Sequence, residues 1–279
     1  MILLADSGST KTEWWLIKDN KTQQSFKTVG FNPYFVSTEQ VKSILQEDFS
    51  DRFDLGQIHK VFFYGAGCSS DSKKAVINNA LQALFPGAHT EVEHDLLASA
   101  RALHGNQPGV ACILGTGSNA CLYDGNDITE SLFSLGYMFG HEGSGAHLGK
   151  TYIAAHLKKR APAEILTAFV QETALTDEDI LTNVYKKENP NRFLASFTVF
   201  LKKHLDNPWV FSLVEQCFDE FFSEQVSKFT NYQHMTFGCI GSVGYHFRDV
   251  LEQSAAKHNI KPEIFLVSPM DGLLEYHKE

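Results

Sequence analysis

The sequence predicts an α/β protein built from two related halves. Three observations carry this. Apolar, strand-like runs end in small-residue turns at Ser7-Gly8-Ser9-Thr10 and again at Gly115-Thr116-Gly117-Ser118. Each turn leads into another strand, and helices follow, which is the alternation of an α/β layout. A third cluster, Gly238-Cys239-Ile240-Gly241-Ser242-Val243-Gly244, runs from a strand into a helix. The chain has 279 residues, enough for about two domains at ~150 residues each. A hydrophobic content of 43% is ordinary for a protein with a sizeable core.

The elements follow in order. Ile2 to Asp6 reads as a strand, and Thr12 to Lys18, rich in Trp, Leu and Ile, as a second. Gln23 to Val29 adds a third, making an antiparallel meander. Thr38 to Phe49 is a helix, with Val41, Ile44 and Leu45 at helical spacing. Lys60 to Tyr64 is a continuous apolar strand ending at Gly65-Ala66-Gly67. Asp71 or Ser72 is expected to cap a helix that runs through Phe85. Thr90 to Glu93 is a short strand, and Asp95 opens a helix to about His104. After Pro108-Gly109 the pattern restarts, with strands at Val110 to Leu114 and Asn119 to Tyr123. A turn at Asp124 to Asp127, a segment from Ile128 to Ser134 and a glycine-rich stretch from Gly136 to Gly149 come next. Ser144 to Phe229 is mainly helical and reads as an insertion. His234 to Ile240 is a strand, Gly244 to His258 a helix, and Glu263 to Val267 the last strand before a short helical end. The expected domains are 1–106 and 107–267, the second with its helical insertion at about 144–229, and 268–279 completing the first.

The formal net charge of -9 argues against a nucleic-acid binder, whose footprint is basic. It is compatible with local anion binding, because backbone N–H groups need no net positive charge. The five cysteines are odd in number and form no C-x-x-C pair. They read as reduced, mostly buried thiols of a cytosolic protein. The twelve histidines are scattered, with no H-E-x-x-H spacing. The N-terminus shows no secretion leader, and no run reaches the ~20 apolar residues of a membrane span. The expectation is a cytoplasmic protein that binds neither membrane nor nucleic acid.

The stretch Asp6 to Thr12 has two readings as a phosphate loop. A Walker loop, G-x-x-x-x-G-K-[ST], is matched by Lys11-Thr12, but Thr10 stands where its second glycine must be. That loop must also open a helix, and Thr12 to Lys18 has the β-branched and aromatic residues of a strand. The hairpin reading is better. Strand one delivers Asp6, Gly8 permits positive φ, Ser9 and its small neighbours let backbone amides approach an anion, and Thr10 adds a hydroxyl. Asp6 at the strand end suits Mg²⁺ held through water. A plain turn made of turn-forming residues is the simpler alternative. The second turn, of the same design, favours the functional reading, since two such turns could clamp a polyphosphate. The third cluster could present a helix N-terminus to a nucleotide.

These pieces resemble the actin/sugar-kinase/Hsp70 superfamily, and within it the N-acetylglucosamine kinase branch of the BadF-type ATPases. The matching segments are DSGSTKTE from Asp6, EHDLLASA, LGTGSNACL, GYMFGHEGSGAHLG and GCIGSVG, spread over nearly the whole chain. The most specific is GTGSN followed about twenty residues later by G-x-E-G-S. The resemblance implies a duplicated ribonuclease-H-like fold with a cleft between domains, Mg-ATP in the cleft and a sugar beside its γ-phosphate. It places Asp6, Gly8, Ser9, Thr10 and Lys11 in the first phosphate motif, with Asp6 toward the metal. Gly115, Thr116, Gly117 and Ser118 form the second, and Gly241, Ser242 and Val243 lie near the adenosine. Asp95 falls where related kinases have the base that takes the proton of the attacking sugar hydroxyl. It also reads as an N-cap, and both can hold. Asn32, Asn119, Gly136, His141 and Glu142 fall in the sugar-binding segments. Plainer readings are a turn residue before proline for Asn32, loop ordering for Asn119, and a first-turn carboxylate favoured by the helix dipole for Glu142.

The sequence also departs from the family pattern. Members acting on N-acetylglucosamine commonly read G-D-E-G-S, where the aspartate helps hold the sugar, and here His141 stands in that place. An imidazole lacks the carboxylate's two acceptors and can be charged near neutral pH. A G-G-W-G segment upstream is replaced by Ser134-Leu135-Gly136-Tyr137. The expected function is an ATP-dependent kinase of N-acetylglucosamine or a related sugar. A different amino sugar, or an acidic sugar drawn to His141, is a variant of it. The alternatives are an ATPase activator of a partner enzyme, with an iron–sulfur cluster between subunits, and a non-enzymatic sugar or nucleotide sensor. The aromatics Phe193, Phe197, Phe200, Phe211, Phe218, Phe221 and Phe222 read as core and as part of a homodimer surface.

Overall fold

The structure is a computed structural model that describes residues 1–8, 11–50 and 52–278. The chain divides into two compact units, Met1–Asn106 with Pro269–Glu279, and Gln107–Ser268.

The first unit opens with β1 (Ile2–Ser7), β2 (Lys11–Lys18) and β3 (Lys21–Val29), an antiparallel meander. Helix α1 (Thr38–Phe49) starts at a capping box between Ser37 and Gln40, and buries Val41, Leu45 and Phe49 at one-turn spacing. Strand β4 (Lys60–Gly65), helix α2 (Asp71–Leu84), strand β5 (His89–His94) and helix α3 (Asp95–His104) follow. The sheet order is β3-β2-β1-β4-β5, with β4 and β5 parallel to β1. One face packs around Trp14, whose ring meets Phe49 edge-on at 5.1 Å. Its buried indole N–H donates to Thr28 Oγ1 at 2.9 Å, as a buried tryptophan requires.

The second unit repeats the pattern. Strands β6 (Gly109–Leu114), β7 (Ser118–Tyr123) and β8 (Ile128–Ser131) form its meander. Helices α4 (Gly136–Phe139), α5 (Gly145–Leu157), α6 (Ala163–Thr173), α7 (Asp177–Tyr185), α8 (Pro190–Ser196), α9 (Thr198–Lys203) and α10 (Pro208–Glu224) come next. Strand β9 (Thr236–Ile240), helices α11 (Ser242–His246) and α12 (Arg248–Lys257) and strand β10 (Pro262–Leu266) finish it. Read from β8, the sheet order is β8-β7-β6-β9-β10, the order of the first sheet with the same pairing senses. The chain then returns to the first unit as α13 (Met270–Tyr276). Phe197, Phe200, Phe218, Phe221 and Phe222 are buried in the helical core, and Phe193 and Phe211 pack against it. They serve that core.

Several expectations are corrected. Ser70, not Asp71 or Ser72, occupies the N-cap of α2, without a side-chain cap bond, and the helix ends at Leu84. Asp95 is not the cap of α3; His94 occupies that position, with its Nδ1 3.1 Å from Leu96 N. The helix expected over 244–258 is two helices that begin at Ser242 and break at Phe247. The phenylalanine ring is buried against Phe218, and its backbone has left helical geometry. Strand β9 starts at Thr236, because residues 232–234 form a turn of 3₁₀ helix.

Candidate active site

In the first unit the functional residues gather where the parallel strands end. Antiparallel register sets Asp6 opposite Glu13, and parallel register continues the row through Tyr64 to Glu93. Paired residues share a face of the sheet. Asp6, Glu13 and Glu93 therefore point to the side that α3 covers, with Asp95 in the first turn of that helix. Burial foremost, then the charges of Asp95 and Glu13, pushes the Asp6 carboxyl up to about 7, against the opposing pull of Lys11. Asp95 is half-buried and its Oδ1 lies 2.9 Å from His94 Nδ1.

The hairpin turn is anchored from beneath. Ser7 and Thr12 are fully buried, and their hydroxyls meet at 2.7 Å. Thr12 donates on to Val29 C=O at 3.0 Å, while Ser7 Oγ accepts Phe31 N–H at 3.1 Å. The turn is thus tied to the loop that carries Asn32. Gly8 donates its N–H to Lys11 C=O, and Lys11 begins β2, exposed. Gly8 does not use positive φ, contrary to expectation, and among the described residues an added Cβ would meet Lys11 O at 3.8 Å. Ser9 and Thr10 lie outside the described residues. Asn32 is half-buried under Gly67, with Oδ1 accepting Tyr34 N–H at 3.0 Å.

In the second unit the turn Gly115–Gly117 sits on the start of α5. Gly145 and Ala146 donate their N–H groups to Gly115 and Thr116 C=O at 2.8 and 3.1 Å. These first amides of the helix hold the Gly115–Gly117 turn, and Ser144 caps the first turn of α5 by accepting the N–H of His147. Thr116 is exposed, and a Cβ at Gly115 would meet nothing within 4 Å. Ser118 faces inward. Its hydroxyl donates to Glu142 C=O at 2.7 Å and accepts from Gln225, which also donates to Glu142 Oε2 at 2.9 Å. This hydroxyl braces the site from inside and is not presented to a phosphate. Asn119 Oδ1 accepts the N–H of Ala120, a local ordering bond. Gly241 ends β9 at φ +119, where a Cβ would lie 2.4 Å from Leu114 O. Ser242 is exposed, but Val243 is buried against Gly145, so its side chain supports the turn and does not face a nucleotide.

Two readings of the G-x-E-G-S segment change. Glu142 lies before the Ser144 cap, outside the first turn of α5, so the helix dipole is not its reason. His141 adopts φ +58, lays its ring on Gly117, and has Nε2 3.0 Å from Ser134 Oγ. Burial outweighs the pull of Glu142 and lowers the imidazole's pKa. The neutral imidazole is thereby favoured, which weighs against the charge attraction for an acidic sugar expected of a charged His141. Gly136 opens α4 at φ +71. Sequence reasoning missed Glu13, His94 and Gln225. The hairpin register could have found Glu13, and adjacency to Asp95 could have found His94. Nothing local marks Gln225, 83 residues from its partner Glu142.

No protein-family model and no curated protein sequence matches the chain. Among solved structures, a candidate N-acetylglucosamine kinase from Porphyromonas gingivalis is 42% identical over 100% of this chain and 99% of that one, with a TM-score of 0.93. The chain belongs to the N-acetylglucosamine kinase-like branch of the BadF-type ATPases. A candidate N-acetylglucosamine kinase from Chromobacterium violaceum is 17% identical over 99% and 98%, at TM-score 0.73. MreB5 of Spiroplasma citri, bound to ADP, is 10% identical over 99% and 96%, at TM-score 0.50. These last two share the fold: the branch uses the duplicated actin-like architecture, seen here as two sheets of one strand order. Among the described residues no helix is long and apolar enough to cross a membrane.

Proposed function

We propose that the chain is an ATP-dependent sugar kinase that transfers the γ-phosphoryl group of Mg-ATP to a hydroxyl of an amino sugar, N-acetylglucosamine or a close relative. The family membership supports the reaction class. The observation that carries it to this chain is Asp95, a half-buried carboxylate at the head of α3, on the side of the sheet that Asp6 faces. Asp95 accepts the proton of the attacking hydroxyl as its oxygen bonds to phosphorus.

The residues fit the groups this requires. Among the described residues nothing lies within 4 Å of a Cβ added at Gly115, and at Gly8 the nearest atom is Lys11 O at 3.8 Å, as close approach of phosphate oxygens needs. Thr116 is exposed and offers a hydroxyl, and half-buried Gly241 and exposed Ser242 lie at the head of α11 for the adenosine. Asp6 is a carboxyl whose surroundings favour its neutral form, so a nearby cation would restore its charge. Among the described residues no three His, Cys, Asp or Glu side chains converge on a metal position. A magnesium ion would rest on Asp6 with water and phosphate oxygens completing its shell, where it would neutralise phosphate charge. Asn32, Asn119, Gly136, His141 and Glu142 are the proposed sugar-side residues, with His141 contributing a neutral imidazole. All five cysteines are buried, which weighs against the activator reading, since a shared iron–sulfur cluster needs thiolates at a surface.

The test is ADP release from Mg-ATP against hexoses, N-acetylated amino sugars and acidic sugars. Turnover with an amino sugar is expected, reduced about 10²–10⁴-fold in Asp95→Asn. Nucleotide binding without turnover on any sugar would overturn the reading in favour of an activator or sensor.

A further inference from the structure

Asp95 follows a histidine that is both the end of β5 and the N-cap of α3. His94 Nδ1 lies 2.9 Å from Asp95 Oδ1 and 3.1 Å from Leu96 N. One nitrogen cannot serve both neighbours in the same state. With a lone pair, Nδ1 accepts Leu96 N–H and confronts a carboxylate oxygen acceptor to acceptor, unless Asp95 itself carries a proton. With a proton, Nδ1 donates to Asp95, and Leu96 N–H loses its cap. At 2.9 Å, the Nδ1···Oδ1 line holds one proton in either arrangement.

We infer that His94 is a positioning residue for Asp95: its Nδ1–H donates to Oδ1, fixes the rotation of the carboxylate, and leaves Oδ2 to receive the hydroxyl proton. This rests on the kinase reading. In the step it serves, the sugar O–H bond breaks and that oxygen bonds to the γ-phosphorus. The bond from phosphorus to the ADP oxygen breaks, the proton goes to Asp95 Oδ2, and Nδ1 keeps its own.

The surroundings agree. The charged groups facing His94 are Asp95 on α3, Glu93 on β5 and Lys74 on α2, the last two paired with each other at 2.5 Å. The Cys68 thiol, which Asp95 also influences, is pushed up to about 12, mainly by burial, and stays neutral. Burial and Lys74 disfavour the imidazolium, but the hydrogen bond and charge of Asp95, helped by Glu93, prevail and raise the His94 pKa. The imidazolium, which carries a proton on Nδ1 as well as on Nε2, persists to higher pH than it would alone. Among the described residues no other side chain bonds to the Asp95 carboxylate, so His94 supplies the side-chain bond that fixes its rotation. Misplacement of a reacting group costs tenfold or more in rate.

The test combines two readouts. Sugar-dependent turnover is followed from pH 5 to 9 in the unmodified protein, His94→Leu and His94→Asn. The His94 ring nitrogens are titrated by NMR in the unmodified protein and in Asp95→Asn. His94→Leu should lower kcat about tenfold or more, with KM for ATP and sugar within about twofold. His94→Asn, whose Nδ2–H can replace the Nδ1 donor, should recover most of kcat and remove the histidine limb from the pH profile. The His94 titration should move to lower pH in Asp95→Asn. A mere cap would give the opposite pattern: Leu would lower Tm with kcat unchanged, and that result overturns the inference. An unmoved His94 titration in Asp95→Asn overturns it whether or not the protein turns over. A moved titration with no turnover on any sugar sinks the kinase reading, and the positioning role with it.

Discussion

Asp6 sits where its ionised form is disfavoured, opposite Glu13 and near Asp95. In the unfolded chain its carboxyl loses its proton near 3.8, whereas in the fold it keeps it to about 7. Between those values the folded state binds more protons than the unfolded one, so stability falls as pH rises through this window and then levels off. Asp6→Asn removes that dependence. Thermal denaturation from pH 4 to 8 should show the variant gaining Tm relative to the parent as pH rises, while sugar-dependent turnover is lost. Parallel Tm curves for the two proteins would refute this account of Asp6. At this scale much was legible in the sequence, because Asp6 and Asp95 lie in compact motifs whose types declare their chemistry. His141 was legible as a position but not as a charge, since its neutrality comes from burial on Gly117.

The glycines that build the turns of the second unit have two different physical reasons. Gly241 is required by its own fold, with φ +119 and Leu114 O at 2.4 Å from any Cβ. Among the described residues Gly115 has no atom within 4 Å of that position, and it has no positive φ. Gly241→Ala should therefore cost about 3 kcal/mol of stability, measured by urea denaturation. Gly115→Ala should leave the urea midpoint within error of the parent and weaken nucleotide binding, measured by calorimetry. A large loss of stability in Gly115→Ala would mean that its turn is kept small by the protein and not by a ligand. The sequence showed these turns because glycine and hydroxyl residues interrupt apolar strands. It could not separate their reasons, which depend on atoms supplied by Leu114 and by the start of α5. The break at Phe247 was hidden likewise, at a residue whose ring packs on Phe218 from a distant part of the chain.

At the scale of the whole chain, the last helix completes the unit in which the chain began. Gly272 lets α13 cross α3 so closely that a Cβ would lie 2.3 Å from Ala102 O. Met270 and Leu273 cover Ile2, Leu4 and Phe62. Beyond the helix, Arg101 donates to Tyr64 Oη at 2.7 Å, so Tyr64 donates onward to His277 Nε2 at 2.7 Å. His277 also stacks on Phe62 at 3.7 Å. Burial foremost lowers the His277 pKa to about 4, and protonation of Nε2 would break the chain of donors. An unfolded histidine gains its proton near 6.5, so stability should fall as pH drops from there toward 4. His277→Gln keeps an acceptor without titrating and should flatten that acid limb in Tm measurements. An unchanged limb would show that the acid sensitivity lies elsewhere.

The sequence by itself determined the α/β class, the duplication, the three turns and the aspartate on which the proposed chemistry depends. These are local properties: the period of apolar residues, the small residues that allow a turn, and the ionisable group at a strand or helix end. The tertiary structure decided which groups are neutral, which hydroxyls face inward, and which distant residues brace the site. Ser118 and Gln225 hold Glu142, His94 meets Asp95, and α13 returns to β1 and β4. Each depends on burial and on contacts between segments far apart in the chain or turned toward one another by the fold, and residue type and spacing carry neither.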